Sequence, residues 1–200
     1  MGDFYYQFFN YWMTQSDTLT LLRQHPATDA DEIDFLARTI EFVEQNEQFW
    51  QRSTLTGHLT GSAWILSADG ASALLLHHAK LDRWLQPGGH VDESDASLLE
   101  TARREAMEEC GLKALNLISD QIFDLDVHEI PERKLEPAHF HYDLRFLFLV
   151  PEGAEIARNL LETKGIAWVP LRELSLESTP NSIRRMALKS LNFESASQRD

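Results

Sequence analysis

The sequence predicts an α/β (α+β) fold with a helical extension at its N-terminus. Three observations support this prediction. Apolar residues recur at helical spacing through residues 1–55, the period becomes strand-like from Gly57 onward, and one strongly amphipathic acidic helix lies between the predicted strands. Strands on both sides of a single central helix are typical of a layered domain rather than a helical bundle.

The N-terminal extension, residues 1–55, contains three predicted helices. Phe4, Phe8 and Trp12 share one face of the first, and this aromatic surface must be covered by the domain, by a ligand or by a partner subunit, as in a homodimer. The second spans 17–24 and stops before Pro26, and the third spans about 29–49.

The region that follows the extension begins with a predicted β-hairpin and continues through further strands. Strand 58–66 turns at Asp69 and Gly70 and returns as strand 72–77, and residues 84–86 then lead into Pro87 and a pair of glycines. Further strands are predicted at 115–118, 122–127, 139–150 and 167–169, followed by a turn at 171–174, a helix from Thr179 and Pro180 to about Leu191, and a loose tail at 194–200.

The central helix has a predicted start, a buried stripe and a predicted end. Ser97 and Glu100 have the spacing of a capping box, and Gly111 suits the left-handed residue after the last turn. Leu98, Ala102, Ala106 and Cys110 recur every fourth residue and give the helix its apolar face, so Cys110 is predicted to be a core residue.

The opposite face of this helix carries Glu105, Glu108 and Glu109, whose carboxylates fall within one turn. Glu105 and Glu109 repel each other at i, i+4, and Arg104 is expected to offset part of this repulsion by reaching Glu100 and Glu108. Carboxylates grouped beside a glycine-rich turn suit a hard divalent cation such as Mg²⁺. The alternative is an ordinary acidic face exposed to solvent.

The stretch R-E-A-M-E-E-C-G-L, residues 104–112, together with Gly88 and Gly89, resembles the Nudix box of the Nudix hydrolase family over residues 88–112. One residue is added in the loop before the helix. Five residues after Gly89 the chain has Asp95 where the family has Glu, and eight residues rather than seven separate Asp95 from Arg104. The counterpart of Asp95 in the family is peripheral, so we expect it to contribute little.

The resemblance implies a Nudix-type α/β/α sandwich with a mixed sheet, extending over roughly residues 57–174. W-x-P-G-G before the helix and W-V-P-L at Trp168 also look like family features. The expected organisation is an N-terminal helical extension at 1–55, a Nudix hydrolase domain at 56–193 and a flexible tail at 194–200.

The activity that the resemblance implies is Mg²⁺- or Mn²⁺-dependent hydrolysis of a pyrophosphate bond. The substrate would be a nucleoside diphosphate linked to another moiety, such as ADP-ribose or a nucleotide sugar. The alternative is a Nudix-fold module that senses a nucleotide without hydrolysing it. Such modules usually lose box carboxylates, and all three are retained here.

The resemblance also assigns roles to individual residues. Metal ligands are expected among Glu105, Glu108, Glu109 and the Gly88 carbonyl, with Arg104 orienting the carboxylates. The general base is Glu105, Glu109 or Glu162, the last because it lies six positions before Trp168. From their places in the sequence, and not from the family, substrate contacts are expected from His90, which follows Gly88 and Gly89, and from Arg133 in the long loop 126–142. Gly88 and Gly89 themselves are expected to contact the substrate. Base stacking is expected from Trp64, Trp84, Phe140 or Tyr142 unless these aromatic residues are core.

Bulk composition excludes several classes of function. A net charge of −14 argues against a broad basic face for nucleic acid or an anionic membrane. The single cysteine cannot form an internal disulfide, and neither a signal peptide nor an apolar run of about 18 residues is found, so we expect a cytoplasmic location. His77-His78 and His139-x-His141 lack the spacing of a zinc site and are predicted not to bind metal.

Overall fold

The structure, a computed structural model, describes residues 13–79, 81–133, 136–157 and 163–197 of the 200-residue chain. The predicted first helix lies outside the described residues. The elements run in the order α1 (Gln15–Gln24), α2 (Ala30–Gln45), β1 (Gly57–Leu66), β2 (Ser72–His78), β3 (Arg83–Leu85), β4 (Gly88–His90), α3 (Leu98–Cys110), β5 (Asn116–Leu117), β6 (Asp124–Ile130), β7 (His139–Leu149), β8 (Thr163–Pro170), α4 (Leu171–Leu174) and α5 (Asn181–Ser197).

The strands of the described residues form one mixed sheet of eight. Its main path is β3-β2-β1-β7-β5, while β4 pairs with β1, β6 with β7 and β8 with β2. The long central strands β1 and β7 are parallel, from Gly57 opposite Phe140 to Leu66 opposite Leu149, and every other pairing is antiparallel. The predicted mixed sheet is therefore confirmed.

Helices cover both faces of this sheet, as the α/β/α prediction requires. Because side chains alternate along a strand, Leu59, Ala63 and Ile65 of β1 point into one hydrophobic cluster, while Trp64 and Leu66 point into another. The first cluster includes the buried stripe of α3, and the second includes α4 and α5.

Helices α1 and α2 share the first cluster rather than forming a separate core. Leu22, Phe42 and Val43 are buried in it with the sheet residues, and the Phe42 ring stacks on that of Tyr142 with centroids 4.3 Å apart. The described part of the N-terminal extension thus packs directly on the domain.

The predicted ends of α3 are confirmed. The Ser97 side chain accepts a hydrogen bond from the Glu100 N–H at 3.2 Å, and Gly111 has φ +62°. A Cβ at Gly111 would lie 2.6 Å from the Ala157 carbonyl oxygen, so position 111 needs glycine for both its conformation and its space. Cys110 is buried, which raises the pKa of its thiol to about 12, as the core prediction expects.

Several predicted elements have different bounds in the structure. Helix α2 ends at Gln45 rather than near 49, because Asn46 caps it by donating to the Phe42 and Val43 carbonyls. Strands β6 and β8 are longer toward Ile130 and Thr163 than predicted. Helix α5 continues to Ser197, since neither glycine nor proline follows Leu191 to stop it.

The glycine pair is not a loop. Gly88–His90 forms the short strand β4, with Gly88 opposite Ser62 and His90 opposite Thr60. Gly88 approaches β1 so closely that a side chain has no room there, since a Cβ at Gly88 would lie 2.1 Å from Ser62 Oγ. Among the described helices, none has the length and apolar character needed to span a membrane.

Candidate active site

The site forms where β4 passes beneath α3. The Gly88 N–H donates a hydrogen bond to Glu109 Oε2 at 3.0 Å. A Cβ placed on Gly89 would lie 2.6 Å from Glu105 Oε1. The two glycines therefore bring backbone and carboxylates into contact, which larger residues at these positions would prevent.

Arg104 connects the parts of the site. Its guanidinium donates to both carboxylate oxygens of Asp95 at 2.9 Å and to the His90 carbonyl at 2.9 Å. Its Nη1 also donates to Glu105 at 3.0 Å and to Glu108 at 3.2 Å. The hydrogen bonds that Arg104 donates to Asp95 raise the Arg104 pKa above its ordinary value, although burial opposes this.

The sequence analysis predicts that Arg104 reaches Glu100, and this prediction is wrong, because the ion pairs of Arg104 are with Asp95, Glu105 and Glu108. Glu100 pairs instead with Arg103, Nε to Oε1 at 3.5 Å. The i, i+3 neighbour is used because the Arg104 side chain turns the other way, toward the loop before the helix.

Asp95, expected to contribute little, proves central to this arrangement. Its side chain is 4% exposed and binds Arg104 with both oxygens. Burial raises the Asp95 pKa, but hydrogen bonds from Arg104, the Asp92 N–H and the Thr101 hydroxyl outweigh burial and hold it below its usual value. No spacing pattern in the sequence marks Asp95, and the one local signal is the polar loop D-E-S-D, in which the Asp92 N–H donates to Asp95.

The three glutamates differ in their exposure. Glu109 is buried, while the side chains of Glu105 and Glu108 are 18% and 59% exposed. A groove lined in part by Asp95, Arg104, Met107 and Glu108 lies beside this face of α3, and of the three glutamates only Glu108 lines it. Glu109 is thus held inside the protein by the Gly88 N–H, whereas Glu108 faces solvent.

Carboxylate and backbone carbonyl oxygens are the ligands that Mg²⁺ prefers, so the residues present fit such an ion. The Glu105 carboxylate packs directly against the backbone of Gly89, in the space that a side chain at that position would occupy. The three glutamates do not, however, form the tightest group of ligand residues in the described ranges. That group is His58, His90 and His141, whose donor atoms all lie within 4.8 Å of one another.

The sequence prediction that His77-His78 and His139-x-His141 do not bind metal did not consider this group, which is assembled from separate strands. Spacing along the chain gives no zinc pattern, but His141 meets His58 and His90 across three strands. Only the strand order brings these residues together, and the sequence does not reveal that order.

The remaining predicted residues are placed as follows. His90 puts its carbonyl at Arg104 and its ring beside His58 and His141. Arg133 is exposed in the β6–β7 loop, where its backbone pairs with Glu136. Glu162 lies outside the described residues.

The aromatic candidates for base stacking divide into core and surface. Trp64 is fully buried and donates its ring N–H to the Ser190 hydroxyl at 2.9 Å, so it is a core residue. Tyr142 is also buried. Trp84 is 42% exposed and stacks on His77, and Phe140 is partly buried.

Comparison with known proteins gives one family. The model of the NUDIX domain matches residues 58–189, which include β1, the glycine pair and all of α3. A crystal structure of a NUDIX-family hydrolase from Clostridium perfringens has 24% sequence identity and a TM-score of 0.50, covering 68% of this chain and 97% of that one. This likeness supports the fold.

Two curated relatives match parts of the chain. A Mycobacterium tuberculosis protein named mutator protein MutT4 is 31% identical over 105 residues, 52% of this chain and 39% of the relative. An uncharacterised 17.7 kDa protein of Enterobacteria phage T4 is 37% identical over 78 residues, 38% of this chain and 45% of the relative. The aligned regions thus span less than half of each curated relative.

Proposed function

Because this chain belongs to the Nudix family, we propose that it hydrolyses a pyrophosphate bond. The substrate would be a nucleoside diphosphate linked to another moiety, such as ADP-ribose or a nucleotide sugar. The observation that supports this most strongly is the Arg104 network. One guanidinium joins Asp95, Glu105, Glu108 and the β4 backbone, and the Gly88 N–H binds Glu109.

We assign the cation site to Glu105, Glu108, Glu109 and the Gly88 carbonyl. Mg²⁺ or Mn²⁺, when bound, would neutralise phosphate charge and make a water molecule more acidic. Such an ion is consistent with the acidic chain, because an anionic substrate cannot approach a protein of net charge −14 without local positive charge.

The chain's own residues would position the reaction. Arg104 holds Glu105 and Glu108 in fixed directions, and the Gly88 N–H fixes Glu109. The water proton would pass to Glu105, Glu109 or Glu162. Between the two that are described, Glu105 is the more accessible base, because Glu109 is buried against β4.

The remaining proposals concern substrate and surroundings. Gly88, Gly89, His90 and Arg133 are proposed to contact the substrate, which is a small molecule and not a nucleic acid. We also propose a cytoplasmic protein, since its lone thiol is buried and no disulfide can form within the chain. A homodimer through the aromatic N-terminus is a proposal from the sequence alone.

The test is hydrolysis of a panel of nucleoside diphosphate derivatives with Mg²⁺ in water enriched in ¹⁸O. Attack on phosphorus should place the label in a phosphate-bearing product, and ADP-ribose should give two monophosphates together. Activity should disappear with chelator. If a member of the panel binds tightly with metal present and none is cleaved, the sensor function replaces the hydrolase.

A further inference from the structure

Histidines from four strands meet on one face of the sheet, at the end of β1 where the parallel pair begins. His58 of β1 lies opposite His141 of β7, and His128 of β6 lies opposite His141 on the other side. Residues opposite one another in adjacent strands point to the same face, and His139 joins them because it precedes His141 by two.

His90 completes the group from β4. It pairs with Thr60, two residues from His58, so its ring enters the same face. Its ring centroid lies 4.9 Å from that of His58 and 4.9 Å from that of His141. Five of the chain's 8 histidines therefore lie in one cluster, which we call the histidine cluster: His58, His90, His128, His139 and His141.

The nitrogen atoms in this cluster are unusually close. His141 Nε2 lies 3.3 Å from His90 Nε2 and 3.3 Å from His139 Nε2. A ring nitrogen offers a single in-plane lone pair or N–H, so it cannot form good hydrogen bonds in both directions. Ligand nitrogens at about 2.0–2.1 Å from a tetrahedral ion are separated by about 3.3–3.4 Å, which is the spacing seen here.

His58 supplies an independent observation. Its residue is 2% exposed, and in the part of the chain that the structure describes neither of its ring nitrogens has a hydrogen-bond partner. Burying an imidazole without partners is unfavourable, because its polar atoms lose their bonds to water. A bound ion beside His58 would give one of these two nitrogens a partner.

We propose that His58, His90 and His141 bind a transition-metal ion, with Zn²⁺ the best match. Their donor atoms all lie within 4.8 Å of one another, and His139 lies beside the fourth position, which it or a water molecule would fill. Imidazole nitrogens favour Zn²⁺ and its neighbours over Mg²⁺, so this site is chemically distinct from the carboxylate site on α3.

The protonation state of the rings is compatible with this site. Burial, with a further effect of the neighbouring histidines, lowers the pKa of His58 to about 4 and that of His141 to about 2. Burial likewise lowers the pKa of His90 to about 4. Burial thus favours the neutral form of all three rings, which is the form that binds metal.

The site would stabilise β4 from the side opposite α3. The His90 ring faces the cluster while the His90 carbonyl accepts from Arg104 at 2.9 Å. A metal at the cluster would therefore hold the strand that carries Gly88 and Gly89. The proposal itself does not depend on the chain being a hydrolase, because it concerns binding of the ion alone.

The test is cobalt and zinc titration of chelator-treated full-length protein with Mg²⁺ in excess, which occupies oxygen-ligand sites. One equivalent of Co²⁺ should give the intense visible absorption of a tetrahedral complex, and Zn²⁺ should displace it. His58→Asn and His141→Asn should each weaken Zn²⁺ binding by about 100-fold or more. His77→Asn, a partly exposed histidine stacked on Trp84, is the control and should bind as the wild type does.

A gain-of-signal variant covers the case in which the asparagine variants fail to fold. His141→Cys keeps a ligand and should add a near-ultraviolet thiolate-to-cobalt band, which native Cys110 does not produce because it is buried in the core. Absence of the tetrahedral spectrum in the wild type would overturn the site. So would Zn²⁺ binding that is equally tight in a folded His58→Asn protein.

Discussion

At Arg104, all five N–H donors are engaged: two by Asp95, one by the His90 carbonyl, and one each by Glu105 and Glu108. A lysine could not reproduce this pattern, because an ammonium has three donors and no planar fork. The carboxylates of α3 are consequently held in place before any cation binds, which reduces the reorganisation that binding requires.

Glu108 is the glutamate most available to a cation, because its side chain is 59% exposed. We expect Glu108→Gln to lower hydrolysis by about two orders of magnitude, as expected for a lost charge at the reacting phosphate. The fold should survive, since like-charge repulsion on α3 decreases. The measurement is kcat/KM with Mg²⁺ on the substrate found in the panel.

Glu100→Gln is the matched control, because Glu100 lies exposed on the same helix and pairs only weakly with Arg103 at 3.5 Å. It should retain activity within about twofold of the wild type, as expected for an exposed change away from the site. Full activity in Glu108→Gln would remove Glu108 from the cation site.

Asp95→Asn tests the residue that the sequence analysis undervalued. The amide keeps the shape but places an NH₂ group against Arg104, so one of the paired bonds is lost. We expect a fall in kcat of about tenfold and a loss of roughly 1–2 kcal/mol in unfolding free energy. Asp120→Asn, the same change at an exposed position, should alter neither quantity.

At the level of residues, the sequence predicted that the three glutamates share one turn of α3, but it did not predict the importance of Asp95. Helical spacing places Glu105, Glu108 and Glu109 on one turn, and a regular helix preserves that geometry. Asp95 belongs to an irregular loop, where counting residues says little about direction. Its position is set by local hydrogen bonds to Asp92 and Thr101, which spacing does not encode.

At the level of elements, helix α3 was predictable because its start and end are local. Ser97 and Gly111 act on neighbouring residues, so their chemistry appears in the sequence. Strand β4 was not predictable, since two glycines have weak strand preference and the strand exists only because β1 presents a partner. The same strand then creates the contact between Gly89 and Glu105.

Gly89→Ala tests that contact. The added methyl would lie 2.6 Å from the Glu105 carboxylate carbon, so either β4 or Glu105 must move. We expect activity to fall at least about tenfold and the Mg²⁺ concentration for half-maximal activity to rise, since misplaced catalytic groups are costly. Circular dichroism should show a folded protein.

Gly153→Ala provides the comparison for this glycine substitution. Gly153 has φ +74°, but a Cβ there would meet nothing within 4 Å. It should therefore lose about 1–2 kcal/mol of stability through backbone strain with no change in activity. If Gly89→Ala shows the same pattern as Gly153→Ala, the contact with Glu105 has no role in the site.

At the level of the whole molecule, the helices of the N-terminal extension are joined to α5 through one buried carboxylate. Glu32 of α2 is fully buried and pairs with His25, which follows α1, at 2.8 Å. It also pairs with Lys189 of α5, which reaches Asp124 at 3.0 Å. These contacts span the length of the chain, so no local sequence pattern could predict them.

The histidine cluster was not predicted from the sequence for the same reason. Periodicity predicted β1, β6 and β7 as strands but not their order in the sheet, and the order alone sets His58 beside His141. A parallel pair formed by strands distant in sequence is a non-local feature. Sites made from several strands are therefore less visible in a sequence than a site made on one helix.

Glu32 gives a prediction that tests the connection between α2 and α5. Burial raises its pKa, but hydrogen bonds from His25, Lys189 and the Thr28 N–H outweigh burial and lower the pKa from 4.5 to about 2. Because the folded pKa lies below the unfolded value, ionised Glu32 stabilises the fold above about pH 4.5, and this stabilisation is lost as the pH falls through about 2. The shift corresponds to roughly 3 kcal/mol at neutral pH.

Glu32→Gln should therefore lose roughly 2–3 kcal/mol of unfolding free energy at pH 7, measured by urea denaturation. The difference from the wild type should shrink as the pH is lowered from 5 toward 2, since the wild-type carboxylate is then protonated as well. Glu47→Gln, the same change on an exposed residue, should differ from the wild type by less than about 0.5 kcal/mol at every pH. A Glu32→Gln difference that stays constant with pH would show that packing, not the charge of Glu32, holds α2 against α5.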